Sequence, residues 1–506
     1  GNRRQQQPLS LIMSLKLNKI NGDASKWAFG FKATSRSLKP VHIAQVIFGH
    51  SLGHVHSLEQ LFTFAEKPSK KPSSELPQEI KDKFEIDPRQ KDERLDQMRQ
   101  TLRKVLANDN AFYSSQRGSA PTCTSDWFLI NPTAGVTVGR FLHHLIQTSD
   151  GKLEEILQSQ LTDHHDSISV LFRPLVKDAE RDVVTVKPWD GPGADNPLDN
   201  KKVATEFVGG FETLSKHLKE PTKGAVNYPR DLRRVVKFGS FALYSYMGNR
   251  HNEIRDDENT RETRIPLVLN YTDDSDNPVA NASLECYDAV GTEVQAACRL
   301  GVEAILDRLG YRDKIEYDED GIYKKIEDQE LLELSRQKGS KRDEDYDTFR
   351  YIFEGDPAED VFDRLVNTVT DAIHQSRYKT YTPVDTIQTY GWRSGLLKPR
   401  GNRANQRRMA PDPEILESIV LSVVEPDEQI PLQELCHRLR VRYGIIVGGT
   451  DDDRDHLDQW DISVGASAVE SDPLSNRNYE GFKQAVADLG FAQEYADGVT
   501  IVSTTV

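Results

Sequence analysis

Gly49-His50-Ser51-Leu52-Gly53 has the Gly-x-Ser-x-Gly spacing of a nucleophile elbow, where a sharp strand-to-helix turn exposes a serine for acyl transfer. The apolar run Ile43 to Phe48 ahead of it reads as the strand that an elbow requires. Three histidines, His50, His54 and His56, crowd the same stretch and offer imidazoles at metal-ligand spacing. Asp163-His164-His165 adds a carboxylate beside two more imidazoles. The chemistry on offer is ester hydrolysis by Ser51 or metal-assisted hydrolysis by the histidines.

Each set must be tested against the scaffold it needs. The elbow of α/β-hydrolases follows several sheet strands, and too little chain separates Met13 from Ser51 to supply them. His54-Val55-His56 matches the metal-binding pair of amidohydrolases, but no (β/α)₈ regularity follows it. Manganese phosphoesterases place Asp-His-His at the end of a buried apolar strand, whereas Gln158 to Thr162 is mostly polar. Asp451-x-Asp453-x-Asp455 starts like a calcium loop, yet His456 stands where glycine is needed and Ile462 where a bidentate glutamate belongs. No Gly-x₄-Gly-Lys-Ser/Thr loop exists to cradle a triphosphate. The reading therefore assigns no catalytic residue, no metal ligand and no cofactor. A hydrolase or metal-dependent nuclease with its site near His50 to His56 is kept as the alternative.

Bulk properties narrow the classes further. The chain has 506 residues and a formal charge of −15, with a pI of about 5.4 and a mean hydropathy of −0.62. Any nucleic-acid contact must then be local, because the whole-molecule field repels phosphate. No run approaches the ~20 apolar residues of a membrane span. The four cysteines, Cys123, Cys286, Cys298 and Cys436, stand singly, which fits a reducing cytoplasm better than a disulfide or zinc framework.

The elements that must position any site suggest a multidomain α+β protein, a mixed α/β body followed by a distinct C-terminal module. Residues 1–12 read as a vector-derived remnant and 13–66 as an N-terminal α/β segment, strand-like over Trp27 to Ala33 and Val41 to Phe48. Residues 67–92 are rich in Pro, Lys and acids and read as an exposed linker. Residues 93–312 form a central α+β region, with its clearest strand at Arg264 to Tyr271. Residues 313–410 read as a charged helical connector ending in a basic loop.

The last stretch, 411–506, carries the most specific pattern. Ile415, Ile419, Val420 and Val423 recur at helical spacing, and a second helix opens near Pro431 with Leu432, Leu435, Cys436 and Leu439 on one face. A short buried strand is expected at Ile445 to Val447, then the acidic insertion Thr450 to Pro473. A third helix is expected from Ser475, with Phe482, Ala485, Val486 and Leu489 inward. Ala496-Asp497-Gly498 between two strand-like runs signals a hairpin. This order resembles the winged-helix form of the helix-turn-helix, and the module is expected to fold by itself. The resemblance implies a third helix whose outward residues, Arg477, Asn478, Lys483 and Gln484, would face a groove of DNA.

Phosphate contact would come from upstream: Arg393, Lys398, Arg400, Arg403, Arg407 and Arg408, with no acidic residue between Gly391 and Ala410. Gly391-Trp392-Arg393 through Leu397, with Arg442-Tyr443-Gly444-Ile445-Ile446-Val447, is similar in style to C-terminal regions of bacterial anti-phage defence proteins. Together these point to a non-enzymatic scaffold subunit of a bacterial, cytoplasmic antiviral assembly, docking DNA or other protein subunits and no membrane.

Overall fold

The computed structural model describes residues 15–34, 38–56, 59–109, 135–163, 171–175, 181–182, 188–193, 196, 204–218, 228–255, 261–272, 277–327, 331–333, 340–375, 381–399, 406–467, 470–496 and 498–504. The proposed remnant 1–12 lies outside them. The chain is mostly helical with a few small sheets, a mixed α+β arrangement. Among the described residues no helix is long and apolar enough to cross a membrane.

Of the two N-terminal runs expected as strands, Val41 to Phe48 lies inside helix Pro40–Leu52, and Trp27 to Ala33 straddles the end of helix Leu17–Phe29, which stops at Gly30. A continuous apolar run suits a fully buried helix as well as a buried strand, and periodicity alone does not separate them. Pro40 at the first turn and Gly53 in the left-handed conformation bound the second helix.

The body is built on Tyr228–Ile254 and Pro278–Arg308, which pack on one another. Asn277 caps the second of these by accepting from the Val279 amide at 2.9 Å, and Pro278 sets its first turn. Gly301 lets it approach Leu17–Phe29 closely, since a Cβ there would lie 2.5 Å from the Ala24 carbonyl oxygen.

One large core runs from Trp27 to Val502 and includes both the body and the C-terminal stretch. A second core joins Leu17, Ile20 and Ala24 to buried residues between Val302 and Ile373, so the charged connector carries an apolar interior of its own.

A third, small core holds Leu61, Phe64, Leu76, Ile80, Phe84, Leu95 and Leu102 with Phe172 and Leu175. It corrects the expectation of an exposed linker at 67–92. The hub is Arg99, fully buried, which donates to the carbonyls of Phe64 (2.7 Å) and Glu66 (2.8 Å), to Ser73 Oγ (3.1 Å) and to Asp96 (3.2 Å). A stretch with few large apolar residues is thus closed around one satisfied guanidinium.

The C-terminal helices fall at Pro413–Leu421, Leu432–Tyr443 and Tyr479–Asp488. The hairpin Ala492–Glu494 with Thr500–Ser503 gains a third antiparallel strand, Gln429–Pro431, on its second arm.

The module is not self-contained. Ile445–Ile446 runs parallel to Leu267–Val268 of the body, and Leu269 bridges on to Met409. Tyr443 stacks on Phe207 with centroids 5.5 Å apart and meets Phe241 edge-on at 5.2 Å. The expectation of an independent module fails because its sequence periodicity reports which faces are buried, not which element buries them.

Candidate functional site

The cationic segment begins at the end of helix Pro383–Ser394, which starts with a capping box between Thr382 and Asp385. Gly395 ends it at φ +96°, and a Cβ there would collide with the Asp412 carboxylate. Leu397–Lys398 then pairs antiparallel with Arg408–Met409 as the two arms of a hairpin, and residues 400–405 between them lie outside the described residues. Its base is pinned twice, by the Asn270 amide donating to the Met409 carbonyl and by the Met409 amide donating to Ser283 Oγ, each at 2.8 Å.

The structure divides the six expected phosphate-binding cations. Arg393 is half-buried, donates to the Leu38 carbonyl at 3.0 Å and lies over the Trp392 ring. Arg407 is buried, 5.8 Å above the Tyr287 ring. Both serve the fold, which corrects their assignment to a nucleic-acid surface. Lys398 is exposed and Arg408 partly so, while Arg400 and Arg403 lie outside the described residues.

The third helix fits a DNA groove poorly. Asn478 is fully buried: its amide nitrogen donates to the carbonyls of Leu269 (2.9 Å) and Val447 (3.0 Å), and its oxygen accepts from the Tyr271 amide (2.8 Å). Leu474–Asn478 is a wide turn in which the Asn478 amide reaches back five residues to Pro473. That extra residue rotates the face, so a regular helical wheel drawn from Ser475 puts Asn478 outward when it points in.

Lys483 is held by Glu480 and lies 3.7 Å from Glu494, and Gln484 donates to Asp488 at 2.7 Å. Arg477 is exposed, 4.0 Å from Glu470. The outward face is therefore tied up by carboxylates, not open to phosphate.

Ser51 also loses its proposed role. Gly49 to Leu52 is the last turn of a helix rather than a strand entering a turn, and Ser51 is 3% exposed. His50 shares its Nδ1 with the Val46 carbonyl at 2.9 Å and faces His143 across 5.6 Å. His143 Nε2 is 3.1 Å from Glu154. Burial holds His42, His50 and His143 down to about 4, with Lys39 and Arg393 adding to the effect on His42. His54 Nδ1 turns back to the Leu52 carbonyl at 3.1 Å.

Asp163 ends helix Lys152–Asp163, and His164 and His165 lie outside the described residues. No group of three or more His, Cys, Asp or Glu among the described residues is placed to hold a metal ion.

A cleft of about 370 Å³ lies where the body meets the second C-terminal helix, lined by Asn249, Glu253, Arg264, Arg440 and His456 among others. Burial raises Glu253 to about 7, against the opposing pull of Arg250. A perturbed carboxylate in a cleft is a functional candidate. Its neighbours, however, serve the backbone. Asn249 accepts from the Ile265 amide (2.8 Å), Asn252 brackets Arg261 (2.8 and 2.9 Å), and His456 Nε2 meets the Arg264 carbonyl (2.6 Å).

Helix Asp452–Asp458 from the acidic insertion also closes on this seam, its Asp452 and Asp453 paired with Arg440. Arg250 is fully buried and donates to the Ala28 carbonyl at 2.6 Å.

The chain matches no protein-family model, no curated protein and no solved structure among known proteins.

Proposed function

We propose that this chain is a non-enzymatic subunit of a larger assembly that contacts nucleic-acid backbone through the hairpin around residues 397–409. The carrying observation is the contrast between that hairpin and the third helix. The hairpin presents Lys398 and Arg408, has no acidic residue between Gly391 and Ala410, and is fixed at its base by one backbone bond to Asn270 and one bond to the Ser283 hydroxyl. The third helix spends its cations on Glu480, Glu494 and Glu470. Phosphate neutralisation supplies sequence-independent affinity, so the reading implies duplex binding without base preference.

The C-terminal helices and three-stranded sheet support the winged-helix reading of this stretch, with the module seated on the body. Its wing supports a second contact, with a protein subunit. Tyr495 and Val499 close the hairpin end through the Tyr495 amide and Val499 carbonyl at 2.9 Å, and stand 48% and 43% exposed. A role in a bacterial antiviral assembly remains part of this proposal, supported only by the stylistic resemblance of the Gly391 and Arg442 segments.

Fluorescence anisotropy with a random-sequence duplex, at about 50 mM and about 200 mM salt, tests the first contact. Salt-sensitive binding that is weakened by R400A/R403A/R408A supports it. Absent binding, or binding indifferent to those substitutions, overturns it.

A further inference from the structure

A second cationic surface lies far along the chain from the hairpin. Lys67, Lys70 and Lys71 fall on a single turn, closed by the amides of Lys70 and Lys71 donating to the Lys67 carbonyl at 2.8 and 2.9 Å. Spacing of three and four residues puts their side chains on one side of such a turn. They line a cleft of about 550 Å³ with Ala65, Glu66, Glu75 and Arg103. Four cations therefore face two carboxylates, in a protein whose net charge is −15.

The floor of this cleft is fixed. Arg99 holds the carbonyls of Phe64 and Glu66 from beneath, and Arg103 Nη1 donates to the Ala65 carbonyl at 2.6 Å. Lys71 is loosely paired with Glu66 at 3.9 Å. The side chains of Lys67 and Lys70 have no hydrogen-bond or ion-pair partner among the described residues. The volume falls in the ~300–1,000 Å³ range of small-ligand sites. Among the described residues no aromatic ring lines the cleft to stack a base, so its recognition chemistry is charge.

We propose that this cleft binds an anion carrying several phosphates, gripped by Lys67, Lys70 and Lys71 above the Arg99-fixed floor. Ammonium groups on short-range flexible stems suit phosphate as point charges, without the fixed fork that would select a planar carboxylate. The chemistry is shared by a free polyphosphate and by a nucleic-acid backbone. It is independent of the hairpin, so failure here leaves the duplex-binding reading untouched.

The test uses the full chain with two probes, inorganic tripolyphosphate by titration calorimetry and a single-stranded oligonucleotide by anisotropy, both at low salt. K67A/K70A changes only exposed, unpaired side chains, and its circular dichroism and melting temperature are expected to match the parent. The proposal expects at least about tenfold weaker binding of the recognised probe by K67A/K70A, with K398A/R408A leaving that component unchanged. Lysine-sensitive binding of tripolyphosphate assigns a free polyphosphate. Lysine-sensitive binding of the oligonucleotide alone assigns a backbone. No binding of either probe, or binding that K67A/K70A leaves intact, overturns the site.

Discussion

Lys237 Nζ lies 2.9 Å from the Asp412 carboxylate, and this contact ties the body helix Tyr228–Ile254 to the start of the C-terminal stretch. The ammonium is almost wholly buried and also donates to the Ser394 carbonyl at 2.9 Å. Asp412 has a second task, since its other oxygen caps helix Pro413–Leu421 by accepting from the Ile415 amide at 3.0 Å. One carboxylate thus fixes both the start of a helix and where that helix sits.

Removing Lys237 strips Asp412 of its buried counter-charge, whereas removing Asp412 leaves Lys237 with Glu414 at 3.3 Å. Lys237→Met is expected to cost about 3 kcal/mol in urea unfolding, near the lower end for such pairs because Asp412 keeps some solvent. Asp412→Ala should also cost about 1 kcal/mol through the lost N-cap. The double variant K237M/D412A should fall short of the sum of the single effects by more than about 1 kcal/mol. Strict additivity would show that the pair carries no coupling.

Expressed alone, residues 391–506 are expected to lack a cooperative melt. Tyr443 would lose Phe207 and Phe241, Ile445 and Ile446 would lose their strand partner, and Asn478 would lose the Leu269 carbonyl and the Tyr271 amide. In the whole chain Tyr443→Ala should destabilise by about 3–5 kcal/mol, as for other large aromatic truncations in cores. Its hydroxyl bond to Ser422 at 2.9 Å makes Tyr443→Phe a milder change, about 1 kcal/mol. A sharp thermal transition in the isolated fragment would refute this account.

Much of the C-terminal layout was legible because local signals agreed there: Asp412-Pro413, Tyr443-Gly444 and Asp497-Gly498 each mark a boundary by backbone chemistry. What the sequence did not disclose was partnership. Leu267-Val268 and Ile445-Ile446 read equally as buried strands, but nothing local says that they pair across 178 residues, the separation between Leu267 and Ile445. Arg99 was similarly silent, since an arginine in a charged stretch looks solvated until its four acceptors converge. Asn478 misled because a single wide turn shifts a helical face.

Arg99→Ala is expected to unfold the small unit around 59–103 before the rest. The buried Phe64 carbonyl would be left unsatisfied, costing about 1–3 kcal/mol, while the carbonyl of exposed Glu66 would lose its partner at smaller cost. Limited proteolysis should cut first in this unit, while the far-ultraviolet spectrum of the remaining helices persists. Arg99→Lys should rescue little, because an ammonium cannot span acceptors that the planar fork reaches. Equal protease resistance of parent and variant would count against the hub.

Stability should fall as pH drops from about 6.5 to about 4. His42, His50 and His143 have folded values lowered to about 4 from 6.5, so over that interval the unfolded chain binds more protons. Their contribution is full above 6.5 and lost on the way down, up to about 3 kcal/mol per ring. Lys39 and Arg393 oppose protonation of His42, His143 and then Arg140 oppose that of His50, and His144 that of His143. Glu253 runs the other way: raised to about 7 by burial, it stabilises most below 4.5 and loses that as pH rises through 7. The three imidazoles oppose Glu253, and Glu154 beside His143, also raised by burial, so the imidazole share of the pH dependence is a decline on acidification. His143→Gln should flatten it measurably in melting temperatures taken from pH 7 to pH 4.

The two candidate nucleic-acid surfaces separate cleanly by salt. Each phosphate contact contributes about 0.9 to the slope of log K against log salt on duplex DNA, so R400A/R403A/R408A should reduce the slope by about 2.7. Arg477→Ala, Lys483→Ala and Gln484→Ala should leave it unchanged, because Lys483 and Gln484 already engage carboxylates and Arg477 lies beside Glu470. Arg407→Ala differs from both groups. Its guanidinium is buried over Tyr287, so the variant should lose melting temperature first and affinity only as a consequence. A third-helix variant that lowers the slope, with the hairpin variants inert, would reverse the assignment and return the groove-reading role to residues 475–488.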